Sequence, residues 1–280
     1  MSNKVKIGIS IGDINGIGLE VILKTLAESK ILDYCTPIVY GHTKVASFHR
    51  KALRLSEFMF NVIPNAEAAA AHKPNMINCW EEDIKIDLGA ANETGGKYAF
   101  ISLQKATDDL VRGAIDALVT APINKNNIQS ADFKFPGHTD YLNQELDGDA
   151  LMLMVSDSLR IGLLTDHIPV TDVSKHITEK LIRQKISTIK QSLIQDFKIR
   201  KPKIAVLGLN PHCGDQGVIG KEDDAVLRPT IRKMFDEGTF VFGPYAADSF
   251  FGTNSHEKYD AVIACYHDQG LIPFKTLSFG

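Results

Sequence analysis

Short apolar runs recur along the chain at residues 5–11, 37–40, 115–120, 160–165, 203–209 and 261–265. Runs of this length, dominated by apolar residues, predict strands covered on both faces, as in parallel sheets flanked by helices. Helical spacing fills the intervals. Apolar positions three and four apart predict helices over residues 19–27, 44–53, 97–112 and 173–196. A further helix is expected over 222–235, interrupted by Pro229 and closed by Gly238. Residues 150–156 and 160–165 flank a short Asp157-Ser158 turn and predict an antiparallel hairpin. Residues 240–243 predict one more short strand. Between 61 and 87 the pattern is weak, punctuated by Pro64 and Pro74, and the segment is expected to be peripheral. The fold class is therefore α/β.

Three of these apolar runs lead into a histidine: His167 after 161–165, His212 after 204–209 and His267 after 261–265. In open α/β sheets the ligand crevice lies beyond the carboxyl ends of the parallel strands, so topology brings such residues to one end. A single histidine there is more often a hydrogen-bonded structural residue. Three of them match the ligand count of a catalytic zinc-type site with one open position. Asp166 and Asp268 adjoin two of these histidines and are candidates for orienting the imidazoles or for acid–base work. A divalent ion there would serve hydride removal, decarboxylation or hydrolysis, and the metal alone does not choose among them. Zinc, magnesium, manganese and cobalt all remain open, although three nitrogen ligands lean away from magnesium.

Other strand ends carry polar groups. Ala121-Pro-Ile-Asn-Lys125 places an ammonium where a ligand carboxylate or phosphate would lie. Phe135-Pro-Gly-His138-Thr139-Asp140 opens a helix, with Thr139 or Asp140 as cap and His138 placed to meet an anionic substrate. The loop Gly12-Asp-Ile-Asn-Gly-Ile-Gly18 follows the first strand, but its glycines lack the dinucleotide-binding order and no acidic residue ends the next strand. His42 and His49 have no partners at metal spacing and read as ordinary surface or core residues.

Composition narrows the classes. At 280 residues, with 44% hydrophobic and 23% charged residues, the chain suits two α/β lobes. A net charge of -3 provides no basic field for nucleic acid. No apolar run reaches the roughly 18 residues of a membrane span, and the N-terminus leads straight into a strand, so a cytoplasmic protein is expected. Cys35, Cys79, Cys213 and Cys265 show no CxxC spacing and read as reduced thiols.

Taken together, Thr120-Ala-Pro-Ile-Asn-Lys125, Phe135-Pro-Gly-His-Thr-Asp140, Leu209-Asn-Pro-His-Cys-Gly-Asp215 and Tyr266-His-Asp-Gln-Gly270 resemble the signature blocks of the 4-hydroxythreonine-4-phosphate dehydrogenase family. The Gly12–Gly18 loop matches as well, so the likeness runs along the whole chain. The resemblance implies an isocitrate/isopropylmalate dehydrogenase-like fold of two α/β lobes with a cleft between them. One lobe is expected to hold residues 1–130 plus 260–280, and the other 131–259 with the interface of a homodimer. It also implies NAD or NADP as cofactor, with the pocket residues unassigned, and one divalent metal ion per active site. The expected reaction oxidises 4-phosphooxy-L-threonine to a β-keto acid that decarboxylates, on the route to pyridoxal phosphate.

By motif, His167, His212 and His267 are the implied metal ligands, the last donated across the dimer interface. His138, Thr139 and Lys275 are the implied substrate contacts, and Asp248 is a weaker candidate near the amino group. Ile14 and Leu19 stand where the family usually has proline. The chain stops at Phe279-Gly280, where family members continue with substrate- and cofactor-binding residues; a truncated chain, ending directly after a strand with no terminal helix, is expected. Rival readings are a dehydrogenase for phosphorylated threonate or erythronate, a metal-dependent hydrolase or lyase without nicotinamide, and a non-catalytic ligand-binding protein.

Overall fold

The computed structural model describes residues 4–279. The chain divides between Gly148 and Asp149 into two units, each built on a five-stranded sheet with helices around it. In the first unit the elements run β1 (Val5–Ser10), α1 (Gly18–Ala27), α2 (Ile31–Tyr34), β2 (Cys35–Gly41), α3 (Thr43–Ala52), β3 (Asn61–Ile63), β4 (Asn75–Asn78), α4 (Glu93–Val111), β5 (Ala117–Thr120) and α5 (His138–Glu145). The strand order is β3-β4-β2-β1-β5, and every pairing is parallel. Apolar alternation is weak because both faces are covered. Ile38 and Tyr40 of β2 pack into one core cluster while Val39 between them packs into another.

The second unit contains β6 (Leu153–Val155), β7 (Arg160–Leu163), α6 (Val170–His176), α7 (Glu179–Gln195), β8 (Ile204–Leu207), α8 (Arg228–Asp236), β9 (Val241–Tyr245), α9 (Ala247–Gly252), β10 (Ala261–Ala264) and α10 (His267–Ser278). Its order is β6-β7-β10-β8-β9, parallel except for the expected antiparallel hairpin of β6 and β7. Ile204, Val206, Ala261 and Ile263 face one core cluster, and Ala205, Leu207, Val262 and Ala264 the other. Among the described residues no helix is long and apolar enough to cross a membrane.

Several sequence expectations change. Residues 260–279 do not join the first unit: β10 is hydrogen-bonded between β7 and β8, so it lies inside the second sheet, and the division falls at 148/149 rather than at 130 and 260. Nor does the chain end on a bare strand, because α10 follows β10. The segment 61–87 supplies two strands, with β4 seated between β3 and β2 and Met76 wholly buried. Its apolar signal is hidden by Asn75, a buried amide that donates to the carbonyls of Pro37, Ala70 and Lys73 and accepts from Asn61. The helix expected over 173–196 is two helices. Thr178 interrupts it, its hydroxyl accepting from the Leu181 amide as the cap of α7. The helix expected over 222–235 is interrupted at Pro229 but not broken: a π-helical turn, Asp223–Leu227, runs straight into α8, and the wider bonding pattern accommodates the missing N–H of Pro229.

Candidate active site

In the first unit, the Gly12–Gly18 loop turns the chain from β1 into α1. Gly12 holds a positive φ of 67°, and a Cβ there would lie 2.2 Å from the Pro122 carbonyl oxygen. Only glycine lets the loop press this closely on the segment that follows β5. Ile14 and Leu19 are buried apolar side chains of the core. The Ile14 carbonyl accepts from His49 Nε2 at 2.8 Å. His49 is therefore a buried structural residue, and burial outweighs this bond to hold its pKa below the ordinary imidazole value. His42 is also structural: it caps α3, its Nδ1 accepting from the Lys44 amide.

Lys125 and His138 meet on the segment that follows β5, against which this loop packs. The Lys125 Cε carbon lies 3.9 Å from where a Gly137 Cβ would be, at the entry to α5. His138 is the first residue of α5 and half-buried, and its Nε2 is shielded with no hydrogen-bond partner among the described residues. Burial, and then the Lys125 ammonium, push its pKa down, so the imidazole is neutral at physiological pH. Neither Thr139 nor Asp140 caps α5; Gly137 takes that place without a side-chain bond. The helix's leading amides and the exposed Thr139 hydroxyl are thus left for solvent or ligand.

In the second unit β7 and β10 are parallel neighbours, with Leu163 beside Ala264. Beyond them Thr165 ties the two strand ends together: its amide and its hydroxyl both bond the Cys265 carbonyl, at 3.2 and 2.8 Å. The rings of His167 and His267 consequently lie with centroids 5.6 Å apart. His267 Nδ1 is 2.8 Å from Asp268 Oδ1. A neutral His267 donating that proton presents its Nε2 lone pair outward. Asp166 behaves differently, accepting from the His167 backbone amide at 2.8 Å rather than from its ring.

His212 sits on a loop of unusual backbone. Residues 212–217 all have positive φ, between 44° and 93°, and four of them are not glycine. Each such residue costs on the order of 1 kcal/mol, so surrounding contacts must hold the turn. Asp223, fully buried, fixes the segment that enters the turn: it accepts from the Leu209 amide at 2.8 Å, the Asn210 amide at 3.1 Å and the Asn210 side chain at 2.9 Å. Gln269 braces the neighbouring strand ends. Its oxygen accepts from the Cys265 amide at 2.7 Å and its nitrogen donates to the Gly208 carbonyl at 2.6 Å. Neither Asp223 nor Gln269 was legible as a site residue, because each acts through backbone groups that only the tertiary structure brings to it.

The remaining candidates are dispersed. Asp248 is exposed in the first turn of α9, and Lys275 is exposed in the last turn of α10. Lys275 is eight helical steps beyond His267, about 12 Å along the axis. Cys213 and Cys265 are free thiols whose pKa burial pushes up, so neither is poised as a thiolate. By donor type the three imidazoles fit a divalent ion. By placement the fit is partial: His167 and His267 pair, and among the described residues no group of three His, Cys, Asp or Glu side chains is gathered to hold a metal.

Against known proteins, the model of the family described as pyridoxal phosphate biosynthetic protein PdxA matches residues 33–280. The chain belongs to this family. It is 43% identical to a 4-hydroxythreonine-4-phosphate dehydrogenase of Bacteroides thetaiotaomicron over 99% of its own length and 76% of that protein's. Crystal structures of such dehydrogenases superpose on it. The one from Burkholderia phymatum gives a TM-score of 0.86 at 31% identity, covering 98% of this chain and 84% of that one. The one from Klebsiella pneumoniae gives 0.83 at 30%, covering 100% and 84%. Membership of the PdxA family makes the chain an oxidoreductase of the dehydrogenase class, in pyridoxal phosphate biosynthesis.

Proposed function

We propose that this PdxA-family chain oxidises 4-hydroxythreonine-4-phosphate (4-phosphooxy-L-threonine) with NAD or NADP, giving a β-keto acid that loses carbon dioxide to leave 3-amino-2-oxopropyl phosphate. The carrying observation is the family match over most of the chain, together with 43% identity to a dehydrogenase of that name. The isocitrate/isopropylmalate dehydrogenase-like architecture and a cytoplasmic location belong to the same reading. So does a homodimer whose active site draws on both subunits.

His167, His212 and His267 hold one divalent ion in this reading, with His267 coming from the partner subunit, as the motif resemblance implies. When bound, the ion supplies Lewis acidity that favours the substrate alkoxide and polarises the ketone. The chain's own groups bind and orient. Asp268 fixes the His267 tautomer through Nδ1. Lys125 and the neutral His138, with Thr139 and the free amides of α5, receive the phosphorylated substrate. Lys275 offers a second ammonium, and Asp248 a carboxylate for the substrate amino group. Asp166 acts on backbone, holding the His167 turn.

The test follows absorbance of reduced nicotinamide with 4-hydroxythreonine-4-phosphate and, in parallel, phosphorylated threonate and erythronate, with divalent metal present and chelated. Metal-dependent reduction of NAD or NADP, matched by carbon dioxide release and selective for the amino acid, is expected. Preference for a sugar acid would replace the substrate assignment. Consumption of the phosphoamino acid without nicotinamide reduction would replace the reaction.

A further inference from the structure

The glycine loop carries an acidic residue, Asp13, that the reaction as proposed does not use. Its side chain is buried, 8% exposed, and so is closed to a substrate. Both carboxylate oxygens are occupied. Oδ1 accepts from the Asn15 amide at 2.9 Å, and Oδ2 accepts from Asn127 Nδ2 at 2.8 Å. The carboxylate also rests on the N-terminus of α4: a Cβ on Gly95, in that helix's first turn, would lie 2.4 Å from Oδ1. The partial positive charge there offsets the acid in place of a cation. Asn92 closes the same corner, its oxygen accepting from the Gly95 amide at 2.8 Å and from Asn15 Nδ2 at 3.0 Å.

Asn127 lies two residues beyond Lys125. Its side-chain oxygen is buried with no partner among the described residues, so the bond to Asp13 is what orients this amide. Gly96 admits the same loop, since a Cβ there would fall 1.8 Å from the Asn127 carbonyl oxygen. From this anchor the chain runs to the substrate-facing groups. Asn124 accepts from the amides of Asn126 and Asn127, closing the turn around Lys125. Gln129 then donates to the carbonyls of Lys125 at 3.1 Å and Phe135 at 3.0 Å, joining that turn to the segment that opens α5 at His138.

We propose that Asp13 is a positioning residue that, through Asn127, sets the Lys125 turn and with it the Lys125–His138 pair that receives the substrate anion. The inference rests on the substrate role proposed above for Lys125 and His138. It is specific about polarity: an acid on the glycine loop must face an amide on the Lys125 turn. Asn127→Asp sets two carboxylates against each other in a buried place, whereas Asp13→Asn combined with Asn127→Asp exchanges the partners and restores one acid and one amide.

Steady-state kinetics on the metal-loaded enzyme with 4-hydroxythreonine-4-phosphate and nicotinamide test this. Ground-state anion binding by Lys125 and His138 is lost without altering the chemical step, so KM in Asn127→Asp should rise at least about tenfold with kcat within about threefold. In the exchanged double variant KM should return to within about threefold of wild type. A KM within about twofold of wild type in Asn127→Asp, or a double variant no better than the single, overturns the inference. Should Asn127→Asp fail to fold, Asn127→Ala removes the bond without adding charge; KM is then expected to rise about fivefold, and an unchanged KM counts against the inference. Lys125→Met separates the two layers. If it raises KM while the Asn127 variants do not, positioning alone fails; if it leaves KM unchanged, the role of Lys125 falls, and the inference with it.

Discussion

The loops at the carboxyl ends of the two sheets handle polar groups in opposite ways. In the first unit the Gly12–Gly18 loop and the turn around Lys125 use up their acids and amides on one another: Asp13 with Asn127 and Asn15, Asn15 with Asn92, Asn124 with the amides of its own turn. Glycines allow the close approach that this mutual bonding needs. In the second unit the buried Asp223 and Thr165 and the half-buried Gln269 bond mainly to backbone, and the imidazoles of His167, His212 and His267 are left exposed or half-exposed. A cradle whose groups satisfy one another positions one ammonium, that of Lys125. A scaffold that spends its bonds on backbone frees side chains to act as ligands.

The largest expected break is in the second unit. His212→Ala should lower activity by more than about a hundredfold and remove stoichiometric metal together, since even groups that only support metal ligands are worth 10- to 100-fold. Elemental analysis beside circular dichroism checks this; a folded variant that keeps its metal refutes the ligand assignment. Asp223→Ala should cost about 2–4 kcal/mol in urea denaturation, because it orphans the Leu209 and Asn210 amides at the entry to the left-handed turn. Metal affinity should fall with it. A loss below about 0.5 kcal/mol would mean that the turn is held by something else.

The smallest expected effect concerns the first unit and is a pH dependence. His42, His49 and His138 all have pKa values pushed below the unfolded value near 6.5, burial being the main cause. The unfolded chain then binds more protons in that range, so stability is complete above about pH 6.5 and is lost as pH falls from there through the depressed folded values. The slope should be a fraction of the roughly 1.4 kcal/mol per pH unit that one fully released proton carries. His49→Gln, which keeps a donor for the Ile14 carbonyl, should flatten the melting-temperature profile between pH 6.5 and 5. An unchanged profile would remove His49 from the account.

Periodicity made the strands and most helices legible, because burial on both sheet faces demands unbroken apolar runs such as 204–207 and 261–264. The same pattern hid β4, whose buried Asn75 looks like a loop residue until its four-way bonding is seen. It also joined α6 to α7, since a capping threonine and a mid-helix threonine read alike. The motifs located His138, Lys125 and the three strand-end histidines by residue type and position. They did not distinguish the His167–His267 pair from His212, which no spacing along the chain encodes.

By itself the sequence determined an α/β chain, the strand ends at which its chemistry gathers, and the family to which those motifs belong; local pattern and residue type suffice for these. The tertiary structure alone decided that β10 lies between β7 and β8, that Asp223 and Gln269 hold the histidine loops, and that Asp13 faces Asn127. The physical reason is common to all three. Each depends on a hydrogen bond or strand pairing between residues from about a dozen to more than a hundred positions apart, and such a partner is chosen by how the whole unit packs.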